Sequence, residues 1–204
     1  MRVLVACEFS QVVCKAFRGK GHEAYSCDIL PTEGNPEWHI QDDVLKHLDD
    51  GWGLMIAHPP CTYLSYVGNR YWDRPDRYKD RLHAIQFFIT LVEAPINRIC
   101  IENPMGIMSK VYRQHDQVIH PYYFGDSATK RTCLWLKNLP KLEYSLKENM
   151  MFAMTATSKP EPMYYLKTNG KPIQYTEAIH GGQKRSIFWQ GISTAMANQW
   201  GNLE

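Results

Sequence analysis

The chain has 204 residues, 44% of them hydrophobic, and a formal net charge of +2 at pH 7. This length can bury one sizeable core, and so small a charge neither demands a nucleic-acid partner nor excludes one. Six cysteines without a CxxC pair indicate reduced thiols, and eight scattered histidines lack metal-ligand spacing. Because no apolar run reaches membrane-spanning length, we expect a soluble cytoplasmic protein without a metal.

The N-terminal segment alternates strand, helix and strand. Residues 3–7 are apolar, residues 12–18 place their apolar side chains on one helical face, and residues 23–29 form a second strand. This βαβ pattern predicts a parallel sheet. Asp28 ends the second strand, where an acid commonly binds a ribose hydroxyl. A solvated turn aspartate is an equally good interpretation.

Two acids, Asp42 and Asp43, precede a short segment whose apolar residues have helical spacing. Either carboxylate can cap a helix at this position by accepting backbone N–H groups. Either could instead contact a bound nucleoside. The residue pattern leaves both roles open.

A buried strand at residues 53–57 ends abruptly at Pro59 and Pro60, which cannot donate to a sheet ladder. Cys61 follows at the carboxyl end of this strand, the edge where open α/β sheets bind ligands. A thiol placed there can act as a nucleophile if its pKa is lowered or a base assists it. A buried structural cysteine is the alternative, and the strand-Pro-Pro-Cys context favours function.

The segment after Cys61 interleaves aromatic and basic residues. Rings stack on bases and cations contact phosphates, so this composition is typical of a loop that faces nucleic acid. A loop folded over its own core, with its arginines in water, is the alternative. The residues concerned are Tyr63, Tyr66, Arg70, Tyr71, Trp72, Arg74, Arg77, Tyr78 and Lys79.

A helix is predicted over residues 76–93, because Leu82 begins an apolar stripe at helical spacing. The short strand 99–101 follows, and Glu102 leaves it in the same topological place as Cys61. Parallel neighbours would bring both residues to one cleft, where a partly desolvated carboxylate can donate a proton or a hydrogen bond. A helix-capping role beside Pro104 is the alternative.

The C-terminal third contains a polar turn, a strand and a closing helix. Lys130 and Arg131, before the strand 133–136, could reach a phosphate or a substrate carbonyl. Residues 141–185 show weak periodicity and predict a small irregular excursion, whereas 192–200 predict a helix. We therefore expect a catalytic domain formed by residues 1–140 and 186–204, with 141–185 as a recognition-like insertion.

These segments together resemble the cytosine-5 DNA methyltransferases, in motif order and over most of the chain. The segment from Pro59 to Cys61, with Ser65, looks like the Pro-Cys nucleophile motif, and residues 102–104 look like the Glu-Asn motif. Residues 124–136 are similar to the segment that contacts the target base and phosphates, and 191–200 to the helix that returns to the cofactor pocket. Short, phage-type members are the most similar.

The resemblance implies a doubly wound, mostly parallel α/β sheet of the Rossmann-like methyltransferase type, S-adenosylmethionine (SAM) as cofactor and DNA as substrate. It implies that Cys61 attacks cytosine C6, that Glu102 holds the base, and that Lys130 or Arg131 supports the ring carbonyl. The cofactor pocket would be lined by Cys7, Glu8, Phe9, Ser10, Asp28, Ile29, Asp43 and Pro59. Contacts to DNA would come from Ser65, Arg70, Tyr71, Trp72 and Arg74.

Three features depart from the family. The first turn, residues 7–11, contains no glycine, the family's Gln-x-Arg-x-Arg is absent, and only residues 141–185 are available for target recognition. Two alternatives therefore remain: a methyltransferase-like protein that only binds nucleic acid, and an enzyme that modifies free deoxycytidine nucleotides. The DNA could also be single-stranded. An amino-methyltransferase is disfavoured because Cys61 replaces the aromatic residue, and a zinc deaminase because its Pro-Cys-x-x-Cys motif is absent.

Overall fold

A computed structural model describes residues 1–66, 74–144, 164–168, 171–175 and 188–203. In this part of the chain, seven strands form one sheet in the order β3-β2-β1-β4-β5-β7-β6. The strands are β1 (Arg2–Ala6), β2 (Glu23–Asp28), β3 (His39–Gln41), β4 (Leu54–Ala57), β5 (Arg98–Pro104), β6 (Gln117–Ile119) and β7 (Thr132–Lys137).

The sheet is parallel except for β7, which runs antiparallel to both β5 and β6. Its helices are α1 (Val12–Arg18), α2 (Pro75–Val92), α3 (Met108–Val111) and α4 (Gln190–Trp200). The expected doubly wound α/β fold of the Rossmann-like methyltransferase type is confirmed. A separate antiparallel hairpin, β8 (Tyr164–Thr168) and β9 (Lys171–Tyr175), falls within the predicted insertion.

Alternate residues of the central strands fill two apolar layers, one on each face of the sheet. Val3 and Val5 of β1 belong to the layer that contains α1 and α4, whereas Leu4 and Ala6 belong to the layer that contains α2. This division follows from the two-residue period of a strand. Trp200, fully buried, anchors α4 in the first layer. The rigid core therefore fixes both ends of each central strand.

The observed elements differ from the predicted ones in three places. β5 continues through Glu102 to Pro104, because these residues pair with β7, whereas the prediction ended the strand at residue 101. β3 and β6 are three residues long and show no usable periodicity in the sequence. Leu82 is 47% exposed, and the buried face of α2 instead carries Phe88 and Leu91.

Candidate active site

The carboxyl ends of the parallel strands meet at one edge of the sheet. Ala6 of β1 lies beside Ala57 of β4, and Ala57 lies beside Ile101 of β5. Because β7 runs in the opposite direction, its first residue, Thr132, pairs with Pro104 at this same edge. Segments that leave β1, β2, β4 and β5 therefore converge with the segment that enters β7.

Cys61 occupies a tight turn just after β4. Its carbonyl accepts hydrogen bonds from the N–H groups of Leu64 and Ser65, at 3.1 and 2.9 Å. The buried side chain of Asn103 donates to the Pro59 carbonyl at 2.8 Å, so β5 holds the start of the turn. Cys61 is exposed at the surface. The result is an accessible thiol on a rigid backbone.

Two further contacts secure the far end of the turn. Ser65 forms an isolated antiparallel bridge with Gly106, which follows β5. Arg77 of α2 donates to the Thr62 carbonyl at 3.0 Å, and its guanidinium lies over the Tyr63 ring, 4.7 Å from the ring centroid. The first turns of α2 are thereby connected to the loop that carries the thiol.

Glu102 lies at the centre of the site, with its side chain 8% exposed. The Nδ1 of His58 donates to its Oε2 at 3.2 Å, and the Nζ of Lys130 lies 4.0 Å from its Oε1. Burial works to raise the pKa of Glu102, but the charge of Lys130 and the hydrogen bond and charge of His58 outweigh burial and lower it. Glu102 is therefore a carboxylate at neutral pH.

His58 is the site residue whose role the sequence did not indicate. Its side chain binds Glu102, and its ring lies 4.5 Å from the ring of Phe188, centroid to centroid. It interacts electrostatically with Glu8 as well. A histidine directly before Pro-Pro at a strand exit was the available signal, because that position faces the neighbouring strand ends.

The Cys61 thiol is not activated in the free protein. Although the residue is exposed, the protein packed around its sulfur raises the pKa by desolvation, and the charge of Glu102 raises it further; Lys130 opposes both effects. The charges of Glu102 and Lys130 both act on Cys61, and Lys130 lies 4.0 Å from Glu102.

The turn after β1 contains no glycine, yet two of its residues have left-handed backbone conformations. Cys7 and Gln11 adopt left-handed backbone conformations, with φ of 60° and 61°, each at a cost of about 1 kcal/mol for a residue with a side chain. The buried Glu8 carboxylate accepts the N–H groups of Val13 and Cys14, at 2.7 and 3.1 Å. Burial raises the pKa of Glu8, against the charge of His58 and these hydrogen bonds.

The same turn holds the loop after β2. Gln11 is fully buried, and its side chain accepts from the Asn35 N–H and donates to the Asn35 carbonyl, at 2.7 and 2.8 Å. The carbonyl of Phe9 accepts from Thr32 Oγ1 at 2.9 Å. Phe9 and Ser10 themselves are buried. This fixed backbone closes one side of the predicted cofactor region.

The other predicted cofactor residues lie around the ends of β2 and β3. Asp28 accepts from the Leu30 N–H at 2.9 Å, and Asp43 accepts from the Leu45 N–H at 3.0 Å, which caps a short 3-10 turn. Both carboxylates act electrostatically on the Cys7 thiol, whose pKa burial already raises strongly. Ile29 is 73% exposed beside Asp28. An apolar side chain and two acids thus border one surface.

The remaining predicted residues are distributed less closely. Arg131 is exposed, and its charge acts on Cys133, with no contact to Glu102 among the described residues. Arg74, directly before α2, is exposed, and Ser65 is half-buried. The predicted nucleic-acid contacts Arg70, Tyr71 and Trp72 lie outside the described residues.

The described residues lack two further kinds of feature. They contain no group of three or more His, Cys, Asp or Glu side chains arranged to hold a metal ion. They also include no helix that is both long and apolar enough to cross a bilayer. The residues that the structure places together at the sheet edge are Cys61, Glu102, His58 and Lys130.

The described residues form a doubly wound α/β fold, with the candidate site at the carboxyl edge of its parallel strands. A solved structure from E. coli, described as a candidate DNA modification methyltransferase encoded within a prophage, is similar with a TM-score of 0.42 and 13% sequence identity. The similarity covers 67% of this chain and 46% of that one, so the chain spans about half the length of this neighbour. No protein-family model and no curated protein matches the chain.

Proposed function

We propose that the protein transfers a methyl group from SAM to C5 of cytosine in DNA, through a covalent bond between Cys61 and cytosine C6. The observation that carries this proposal is the placement of the exposed Cys61 thiol beside the buried, ionised Glu102, with Lys130 against the same carboxylate. A nucleophile and a base-binding carboxylate are the two groups that cytosine C5 chemistry requires, because unassisted C5 is a poor nucleophile.

In the proposed reaction, the Cys61 thiolate adds to C6 and the electron pair of the C5–C6 double bond becomes available at C5. C5 then takes the methyl group, and loss of the C5 proton with release of the thiolate restores the ring. Because its pKa is raised, the Cys61 thiol holds its proton at neutral pH and must release it, here to solvent, for the addition. The reaction should therefore accelerate as pH rises from neutral toward the thiol's pKa.

Glu102 and Lys130 would bind the base. A carboxylate oxygen accepts from the exocyclic amino group of cytosine, which uracil and thymine lack. The Lys130 ammonium, 36% exposed, is available to support the ring carbonyl as negative charge develops there. In duplex DNA the target base must first leave the stack to reach these groups.

The described residues fit a nucleoside cofactor at the ends of β1 to β3. The exposed Ile29 offers an apolar face for an adenine ring, and the adjacent Asp28 carboxylate suits a ribose hydroxyl. Asp43 would lie near the adenine, and the backbone of residues 7–10, with Pro59, would border the methionine end. SAM supplies an electrophilic methyl group when bound.

Covalent trapping tests this function. The protein is mixed with SAM and DNA that contains 5-fluorocytosine, and the mass of the denatured protein is measured by mass spectrometry. Release of Cys61 requires loss of a proton from C5. Because 5-fluorocytosine carries fluorine there instead, the Cys61 adduct should persist. Cys61→Ser should lose the adduct, whereas Cys14→Ala, which removes a buried thiol from α1, should retain it.

The outcomes separate the alternatives. An adduct with a fluorinated free nucleotide, but not with DNA, would identify a nucleotide-modifying enzyme. Absence of any adduct, together with salt-dependent DNA binding, would instead favour a methyltransferase-like protein that only binds nucleic acid. Only a SAM-dependent adduct with DNA that Cys61→Ser abolishes supports the proposed activity.

A further inference from the structure

The His58 imidazole is buried at the site, yet the proposed chemistry gives it no task. Its side chain is 9% exposed, its Nδ1 donates to Oε2 of Glu102 at 3.2 Å, and its ring lies 4.5 Å from that of Phe188. An aliphatic side chain would fill the same space without the cost of desolvating a polar ring. The retained imidazole therefore calls for a role beyond packing.

The two oxygens of Glu102 have different surroundings. Oε2 accepts from His58, whereas Oε1 is buried and has no hydrogen-bond partner among the described residues. The Lys130 ammonium, 4.0 Å from Oε1, is beyond hydrogen-bond distance. Buried carboxylate oxygens are rarely left without a donor, so Oε1 is matched to a donor that a ligand brings.

We infer that His58 is a positioning residue, which holds Oε2 of Glu102 and thereby presents Oε1 to the amino group of the target base. The inference rests on the proposed function. His58 acts through Glu102 and need not touch the base itself. A carboxylate that rotated freely could bind His58 with either oxygen. The neighbouring residue, Asn103, donates to the Pro59 carbonyl, and this hydrogen bond holds the end of the strand that carries Glu102 in register.

The charge around this pair makes the role measurable. Loss of His58 removes a hydrogen bond and a positive charge that favour the Glu102 carboxylate, so the ionisation of Glu102 should move to higher pH. Glu8 interacts electrostatically with His58. The groups that act on Glu102, or on which its charge acts, are His58, Lys130, Cys61, Cys100 and Cys133.

Two substitutions at His58 separate positioning from packing. His58→Asn places an amide donor near the Nδ1 position but cannot carry charge, whereas His58→Leu keeps the volume and removes the donor. His22→Asn is the matched control, because His22 lies before β2, at the opposite edge of the sheet. Thermal melting and SAM binding establish first that each variant is folded.

We expect His58→Leu to lower the rate of adduct formation with 5-fluorocytosine DNA by about 100-fold, with little change in KM for DNA. His58→Asn should recover about tenfold of that loss, because it restores the hydrogen bond to Oε2. Both variants should shift the Glu102-dependent limb of the pH profile to higher pH, whereas His22→Asn should match the wild type. A merely structural role would lower stability without moving this limb.

Alkylation of Cys61 by iodoacetamide gives a readout that needs no substrate, since the charge of Glu102 raises the pKa of this exposed thiol. Its pH dependence should contain an inflection from Glu102 that moves upward in both His58 variants. If adducts form but neither the rates nor the inflection change, the positioning role is wrong and the proposed function stands. If the inflection moves but the wild type forms no adduct, the proposed function fails and the control of Glu102 by His58 stands.

Discussion

At the scale of single residues, Glu102 makes the Cys61 thiol less reactive in the free protein. Its negative charge is the second cause, after desolvation, of the raised pKa of Cys61. A protonated thiol is protected from oxidation and from stray electrophiles, because the thiolate is the reactive form. Under the proposed function, activation of the nucleophile would therefore depend on occupancy of the site.

Glu102→Gln should therefore have opposite effects on two reactions of Cys61. Removing the charge lowers the thiol pKa, so we expect iodoacetamide to alkylate Cys61 faster at neutral pH. Methyl transfer should fall by about 100-fold or more, because the carboxylate that binds the base is lost. Peptide mass spectrometry and methylation assays measure the two rates. A parallel decrease in both would show that the charge of Glu102 does not act on the thiol.

The lowered pKa of Glu102 also predicts a pH dependence of stability. The unfolded chain binds a proton at Glu102 near the ordinary value of 4.5, and the folded chain binds it only at lower pH. The ionised carboxylate thus stabilises the fold above that ordinary value, and the contribution is lost as pH falls through the folded-state pKa. Urea unfolding of the wild type should show this loss. Glu102→Gln should show a smaller loss, because Asp42 and Asp116, whose pKa values are also lowered, still contribute.

At the level of residues, the sequence allowed predictions only where a motif was contiguous. Cys61 and Glu102 follow apolar strands whose carboxyl ends must coincide in a parallel sheet, and the structure couples them electrostatically. The role of His58 depends on its contact with Glu102, which lies 44 residues later in the sequence. A local sequence pattern cannot predict such a contact. The left-handed conformation of Gln11 could not be predicted either. Hydrogen bonds to the distant Asn35 offset its strain, and the sequence does not show them.

At the scale of elements, the turn that carries Cys61 and the segment after β5 are in close contact. A side chain added at Gly106 would collide with the Leu64 carbonyl, and the Ile107 N–H donates to that same carbonyl at 2.9 Å. Absence of a Cβ at this one position lets the two backbones approach. The Cys61 turn therefore takes its position from β5 as well as from β4.

Gly106→Ala should displace the turn and reduce adduct formation more strongly than its effect on stability would suggest. Overpacking at a buried site costs about 1–3 kcal/mol, which denaturant unfolding can measure. Gly21→Ala is a useful comparison, because the added Cβ meets no atom within 4 Å, although φ of +82° strains it. If Gly106→Ala lost as much stability as Gly21→Ala but kept full activity, Gly106 would not control the position of the Cys61 turn.

The long elements were predicted well because their periodicity is strong. Helix α1 occupies the predicted residues, and α2 and α4 differ from prediction by one or two residues at their ends. The extension of β5 through Pro104 could not be predicted, since it depends on pairing with β7, about thirty residues later. β3 and β6 are held by their neighbours in the sheet rather than by local preference.

At the scale of the whole molecule, a ligand that binds only the folded chain must stabilise it. SAM at about 100 times its Kd would add about 2.7 kcal/mol to the free energy of unfolding, which raises the Tm of a domain this size by roughly 5–10 °C. Asp28→Ala should diminish the shift, whereas Asp49→Ala, an exposed acid before β4, should not. An unchanged Tm at every SAM concentration would contradict the cofactor proposal.

The antiparallel direction of β7 has a practical consequence for protein engineering. The parallel strands deliver Asp28, Cys61 and Glu102 through their exits, but Lys130 arrives through the entrance to β7. Lys130 is thus carried on a different part of the chain from Asp28 and Cys61. A designer could therefore vary the residues around Lys130, between Phe124 and Thr132, both buried, while the first sixty residues keep their sequence.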